Sequence, residues 1–146
     1  MPDLPLLVIF GASRGVGLEL ARLECAAGRR VIAPVRPQAD VSALEAAGAV
    51  FLRADALSRR EVAGALSRIS GEIDIVSTLG GKADDGRRAD DEGNINVANA
   101  AAAHGVGRFV LVPSIGCGDM APFRSERAIA AFGAAVDAKT RAEEHA

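Results

Sequence analysis

Five consecutive apolar residues, Leu6-Leu7-Val8-Ile9-Phe10, run directly into Gly11-Ala12-Ser13-Arg14-Gly15-Val16-Gly17. This junction constrains the fold more than any other stretch of the chain. A short, uninterrupted apolar run predicts a strand covered on both faces. The G-x-x-x-G-x-G spacing belongs where such a strand turns into a helix. Gly11 allows the tight turn, Gly15 lets a pyrophosphate approach the backbone, and Gly17 lets helix and strand pack closely. The helix that starts here offers free N–H groups and the positive end of its dipole. Gly11, Ser13, Arg14, Gly15, Val16 and Gly17 are therefore the expected phosphate loop of a dinucleotide site. The competing reading is a plain strand–helix turn.

The rest of the sequence repeats the alternation. Further strands are predicted at Arg30–Val35, Ala49–Arg53, Ile73–Leu79 and Arg108–Pro113, after the first at Leu6–Phe10. Helices are expected at about Val16–Ala27, Val41–Ala47, Arg59–Ile69 and Glu92–Ala103, with Gly28, Gly48, Gly71 and Gly105 placed to close them. Five such units predict an α/β fold, a doubly wound parallel sheet of the Rossmann type with strand order 3-2-1-4-5. A single domain over residues 1–146 is expected. The charged stretch Lys82–Glu92 reads as a solvated loop. Ser125–Ala146 reads as a C-terminal helix with Ile129, Phe132 and Val136 on one face, and no strand follows it. The fifth strand would then keep an open edge, which folded proteins cover or pair; a homo-oligomer is one expected solution, and a chain shortened relative to its kin is the other.

Composition narrows the function classes. The net charge is −2 and no Arg/Lys cluster is interleaved with aromatics, so no nucleic-acid surface is predicted. No stretch is long and apolar enough to suggest a membrane span or a signal peptide. Cys25 and Cys117 stand far apart without metal-ligand spacing, which suits a reduced, cytoplasmic setting. The acids Asp84, Asp85, Asp90, Asp91 and Glu92 fit no metal loop, and no metal is expected.

Taken in order, the motifs resemble the short-chain dehydrogenase/reductase superfamily, in its atypical NAD(P)H-binding, NmrA-like branch. The resemblance is carried by Val8 to Gly17, Ala33-Pro34-Val35-Arg36, Arg53-Ala54-Asp55-Ala56-Leu57, Val76-Ser77-Thr78-Leu79-Gly80-Gly81, Gly93-Asn94-Ile95-Asn96-Val97 and Gly105 to Gly116. It implies that Asp55 and Ala56 meet the adenine ring, and that Ser77 to Gly81, including Leu79, Gly80 and Gly81, run along the nicotinamide-side ribose. It also implies cofactor contact by Asn96 and places Ser114 and Lys139 as the candidate catalytic residues. Ala135 stands where the superfamily's usual tyrosine would precede that lysine by four. In the resembling family further strands and a substrate region follow this helix, so a substrate pocket is expected to need more chain or another subunit.

Cofactor choice can be argued from charge. An enzyme preferring NAD places Asp or Glu roughly 20 residues past the glycine loop, on the ribose 2′-hydroxyl. Arg36 holds that position here, and Arg14 lies in the loop itself. Two guanidinium groups suit a 2′-phosphate, which they can bind bidentately. NADP(H) is expected ahead of NAD, although Arg36 as a solvated strand-end residue is the bland alternative.

The reaction is less constrained. The chain has no tyrosine, so the phenol that ordinarily protonates a carbonyl is absent. Ser114 and Lys139 could polarise a carbonyl, or they could serve structure and cofactor alone. Three readings follow: an NADP-dependent oxidoreductase acting on a small carbonyl, enone or flavin-like acceptor; a cofactor-binding redox sensor without turnover; and a non-redox isomerase or cyclase. Fold does not choose among them, and the small-molecule substrate is not legible. Cys117 occupies the loop after the fifth strand, where substrates bind in such folds; Cys25 and His104 read as structural.

Overall fold

The computed structural model describes residues 3–113 and 118–146. Strands β1 (Leu6–Phe10), β2 (Val31–Val35), β3 (Val50–Arg53), β4 (Ile73–Ser77) and β5 (Arg108–Leu111) alternate with helices α1 (Gly15–Ala26), α2 (Ser42–Ala47), α3 (Arg59–Ser67) and α4 (Asn94–His104), and α5 (Glu126–His145) closes the chain. All strand pairings are parallel, in the order β3-β2-β1-β4-β5. This is the doubly wound sheet that the alternation predicts.

Strand β1 explains the two-sided core. All five of its residues are buried. Successive side chains of a strand point to opposite faces, so Leu6, Val8 and Phe10 pack with Val62, Leu66 and Val97 from α3 and α4. Leu7 and Ile9 pack on the other face with Leu18, Ala21 and Leu44 from α1 and α2. An uninterrupted apolar run is what such a central strand requires. Because β1 is central, the loop that leaves it emerges where the strand order reverses, between β2 and β4. A ligand crevice in this class of sheet lies at that point.

Four differences from the expected elements have physical causes. Strand β4 stops at Ser77, with the Thr78 amide forming the last rung of the β1–β4 ladder on the Phe10 carbonyl at 2.9 Å. Helix α4 starts two residues later than expected and is preceded by one π-helical turn, Ala89–Gly93. The Lys82–Glu92 stretch is not simply a solvated loop. Lys82 and Arg88 form an antiparallel bridge, the Ala89 amide donates to the Gly81 carbonyl at 2.9 Å, and Asp90 is 2% exposed. Helix α5 is capped by Ser125, whose hydroxyl accepts from the Ala128 amide, but its expected apolar face is only partly used. Val136 is buried with Gly133, Ala138 and Ala142, whereas Ile129 and Phe132 are exposed.

Among the described residues no helix is long and apolar enough to cross a membrane.

Candidate cofactor-binding site

The residues beyond the carboxyl ends of β1, β2 and β4 enclose a cavity of about 890 Å³. Of the residues expected from sequence, Gly11, Ser13, Arg14, Gly15, Val16, Arg36, Asp55, Ala56, Leu79, Gly80, Gly81 and Lys139 line it. Two do not. Gly17 is buried beneath the loop, and Asn96 stands behind it, donating its side-chain amide to the Ala56 carbonyl at 2.9 Å. Their places are those of residues that hold the wall rather than form it. Ser114 and Cys117 lie outside the described residues.

Backbone geometry dictates the glycine loop. Gly11 has φ +84°, a region that L side chains rarely adopt. A Cβ at Gly17 would stand 2.7 Å from the Thr78 hydroxyl and 2.8 Å from the Gly11 carbonyl carbon, so α1 could not approach β1 this closely with any side chain there. Thr78, within the Ser77 to Gly81 turn expected along the ribose, is the third part of this junction and also lines the cavity. Its Oγ1 donates toward the carbonyls of Phe10 and Gly11, 3.2 Å from each, tying the end of β4 to the turn. Arg14 occupies the N-cap of α1 without a side-chain cap, and no acid stands in the first turn. Unsatisfied amides and an unopposed dipole end therefore border the cavity.

Charge on the β2 side is cationic. Arg14 and Arg36 line the cavity, and among the described residues neither guanidinium has an ion-pair or hydrogen-bond partner. The nearest acid after β2, Asp40, accepts from the amide and hydroxyl of Ser42 at 2.9 and 2.6 Å. Those bonds hold its carboxyl below the ordinary value and commit it to the start of α2. Asp55 likewise accepts from the Leu57 amide at 2.9 Å, shaping its own turn.

The opposite end is built differently. The Ser77 hydroxyl donates to the Asn94 side-chain oxygen. Asn94 Nδ2 donates to the Asp90 carbonyl at 2.9 Å. The Asp90 carboxylate accepts from the Gly81 amide and from Arg88 Nε, each at 3.0 Å. All three of Ser77, Asp90 and Asn94 are buried. This network shapes the turn Leu79-Gly80-Gly81. Lys139 reaches in from α5 and donates to the carbonyls of Leu79 and Val112 at 3.2 and 3.4 Å. A Cβ at Gly80 would meet Asp90 Oδ1 at 3.2 Å and Lys139 Nζ at 3.8 Å, so a carboxylate and an ammonium flank one bare backbone position. Ala135, one turn before Lys139, offers no titratable group. Asp90 and Asn94 were missed as site residues from sequence; a buried serine ending an apolar strand was the available signal that polar partners must come from elsewhere.

The arrangement fits a dinucleotide: a glycine cradle that a Cβ would fill, uncapped amides, two unpartnered guanidiniums and a second loop facing them. Residues 11–146 match the family described as NAD(P)H-binding. The chain belongs to that family. The motif resemblance to the atypical short-chain dehydrogenase/reductase branch therefore holds, and the cofactor is a nicotinamide dinucleotide. Among solved structures, the chain is similar to ChuY, an anaerobillin reductase of Escherichia coli O157:H7, with 37% identity over 95% of this chain and a TM-score of 0.82. ChuY of E. coli strain CFT073 matches at 34% identity over 97% of the chain, with a TM-score of 0.80. The oxidoreductase YlbE of Lactococcus lactis shares the fold, at 18% identity over 94% of this chain and 61% of its own, with a TM-score of 0.70. The chain spans 65% of the length of each ChuY structure. No curated protein sequence matches it.

Of the remaining candidates, Cys25 and His104 stand outside the cavity. Burial and the neighbouring Glu24 carboxylate push the Cys25 thiol up, which lowers its thiolate fraction. His104 faces the Ile69 carbonyl at 3.0 Å. No group of metal-ligating side chains gathers among the described residues.

Proposed function

We propose that this chain is the cofactor-binding part of an NADP(H)-dependent reductase whose acceptor is conjugated. The observation that carries the reading is the pair of unpartnered guanidiniums, Arg14 and Arg36, beside an uncapped helix N-terminus in one cavity. The loop amides of Gly15 and Val16 take the pyrophosphate, and the two arginines take a 2′-phosphate that NAD lacks. Asp55 and Ala56 border the adenine, while Leu79 to Gly81 and Lys139 hold the nicotinamide-side ribose. The bound cofactor supplies the hydride.

What the chain lacks bears on the acceptor. With Ala135 in place of a phenol, Lys139 is the one ionisable side chain from α5 that lines the cavity, and its ammonium is spent on two carbonyls. An isolated carbonyl needs a strong, positioned acid as charge arrives on its oxygen. A conjugated acceptor spreads that charge, so that water suffices as the proton source. The reductase activity named for ChuY supports a reductase here, and the conjugated acceptor rests on Ala135 and Lys139. Ala135 equally favours a second reading, a sensor that binds the cofactor without turnover.

Cofactor fluorescence separates these. The chain has no tryptophan or tyrosine, so NADPH and NADH can be titrated against little intrinsic emission. Tight NADPH binding with cofactor consumption in the presence of anaerobillin, quinones or flavins is the expected result. Tight binding with no consumption would leave the sensor, and no binding of either cofactor would overturn both.

A further inference from the structure

We propose that Arg53, which does not line the cavity, positions the turn after β2 so that Arg36 is held where a 2′-phosphate is read; the inference rests on the NADP(H) reading above. Strand β3 ends at Arg53, which is in register with Val35 at the end of β2. The chain then turns at Arg36-Pro37-Gln38-Ala39, closed by the Ala39 amide on the Arg36 carbonyl at 3.1 Å. Arg36 and Gln38 of this turn face the cavity.

Arg53 braces it from behind. Its Nη1 donates to the Arg36 carbonyl at 2.9 Å and to the Ala39 carbonyl at 2.8 Å. One nitrogen with two hydrogens thus bridges the first and last residues of the turn. The guanidinium is itself located by Phe51, two residues earlier on the same side of β3, whose ring centre lies 5.0 Å from Arg53 Cζ. A planar, delocalised cation can satisfy both demands at once; a lysine ammonium on a flexible stem has neither the fork nor the flat face. The Arg36 side chain stays unpartnered for a ligand while its backbone is fixed by a residue outside the site.

The test measures affinities of NADPH and NADH for wild type, Arg53→Met, Arg53→Lys and Phe51→Leu in the full chain, with thermal melting alongside. Arg53→Met is expected to lower the NADPH-over-NADH preference by about threefold, less than loss of the Arg36 guanidinium itself, with NADH affinity nearly unchanged. Arg53→Lys keeps the charge, so it is expected to recover only part of the preference, and a gap from wild type should persist at about 0.5 M salt, where long-range charge is screened. Phe51→Leu should lower the preference by a smaller factor. A preference unchanged in Arg53→Met, an equal loss for both cofactors, or full rescue by lysine that vanishes with salt would each overturn the brace. A wild type that binds NADH as well as NADPH would overturn the cofactor reading, and the brace with it. A selective wild type with the same preference in Arg53→Met would overturn the brace alone.

Discussion

The two ends of the cavity are made of different materials. At the end formed by β1, α1 and β2, the walls are backbone and surface cations. Gly11 and Gly17 permit the close approach, and among the described residues Arg14 and Arg36 have no hydrogen-bond or ion-pair partner. At the end formed by β4 and α5, the wall is a turn held from beneath by buried side chains. Ser77, Asn94, Asp90 and Arg88 form a connected set of hydrogen bonds under Gly80 and Gly81, and Lys139 spans the ends of β4 and β5. The first end is arranged to receive charge. The second is arranged to hold shape. Replacing the cations of the first end should therefore affect binding selectivity, and breaking the buried network of the second should affect stability.

The largest expected effect is at the second end. Asp90→Ala removes a carboxylate that is 3% exposed, and leaves the Gly81 amide and the Arg88 guanidinium without it. Breaking a buried charged pair from one side costs about 3 kcal/mol or more. Chemical denaturation should show that loss, and a change under about 1 kcal/mol would mean that the network does not hold the turn. Gly17→Ala comes next, since the added methyl must displace the Gly11 carbonyl or Thr78. Overpacking of this kind costs about 2 kcal/mol, and cofactor affinity should fall with it because the cradle itself moves. Stability measured without cofactor, compared with affinity, shows whether the first end tolerates the strain.

Smaller in energy is Arg36→Ala. The guanidinium forms no hydrogen bond or ion pair with the described residues, so melting should change little. NADPH affinity is expected to fall about tenfold, roughly 1.4 kcal/mol, while NADH affinity is nearly unchanged. Equal losses for both cofactors would break the comparison, because the first end would then bind phosphate without selecting it.

The same contrast explains what the sequence made legible. The first end is written in consecutive residues: an apolar run of five, then glycines at fixed spacing, and both the β1 bounds and the loop follow from local rules. Arg36 is legible because it occupies a position where an acid has a known purpose. The second end depends on partners brought together by folding. Ser77 meets Asn94 seventeen positions away, and Gly81 meets Asp90 across a loop whose charges read as solvated. No local rule distinguishes Asp90, which is buried, from Asp84 or Asp85, which are not. Helix α5 shows the same limit. Its spacing suggests one apolar face, yet only Val136 of that face is buried, together with the small residues Gly133, Ala138 and Ala142, and Ile129 and Phe132 are left outside.

The smallest effect concerns how α5 is tied to that turn, and it should depend on pH. Arg141 Nε and Nη2 both donate to Asp91 Oδ2, at 3.1 and 2.8 Å. Burial pushes the Asp91 carboxyl up, but the bonds from Arg141 and from the Glu92 amide outweigh it, and the net value lies below the ordinary 3.8. A carboxyl whose value is lower in the folded chain contributes stability above the unfolded value of about 4, and loses it as pH falls through the folded value. Arg141 is more than half exposed, so solvent screening limits the contribution to about 0.5 kcal/mol. Asp91→Asn should therefore be slightly less stable than wild type at neutral pH, and the two should converge in denaturation curves once the pH is well below 4. NADPH affinity measured at neutral pH should be nearly the same in both, since the pair stands behind the turn. A stability gap that persists in acid would show that Asp91 acts through packing or neutral hydrogen bonds, and the second end would then owe its shape to Asp90 and its buried partners alone.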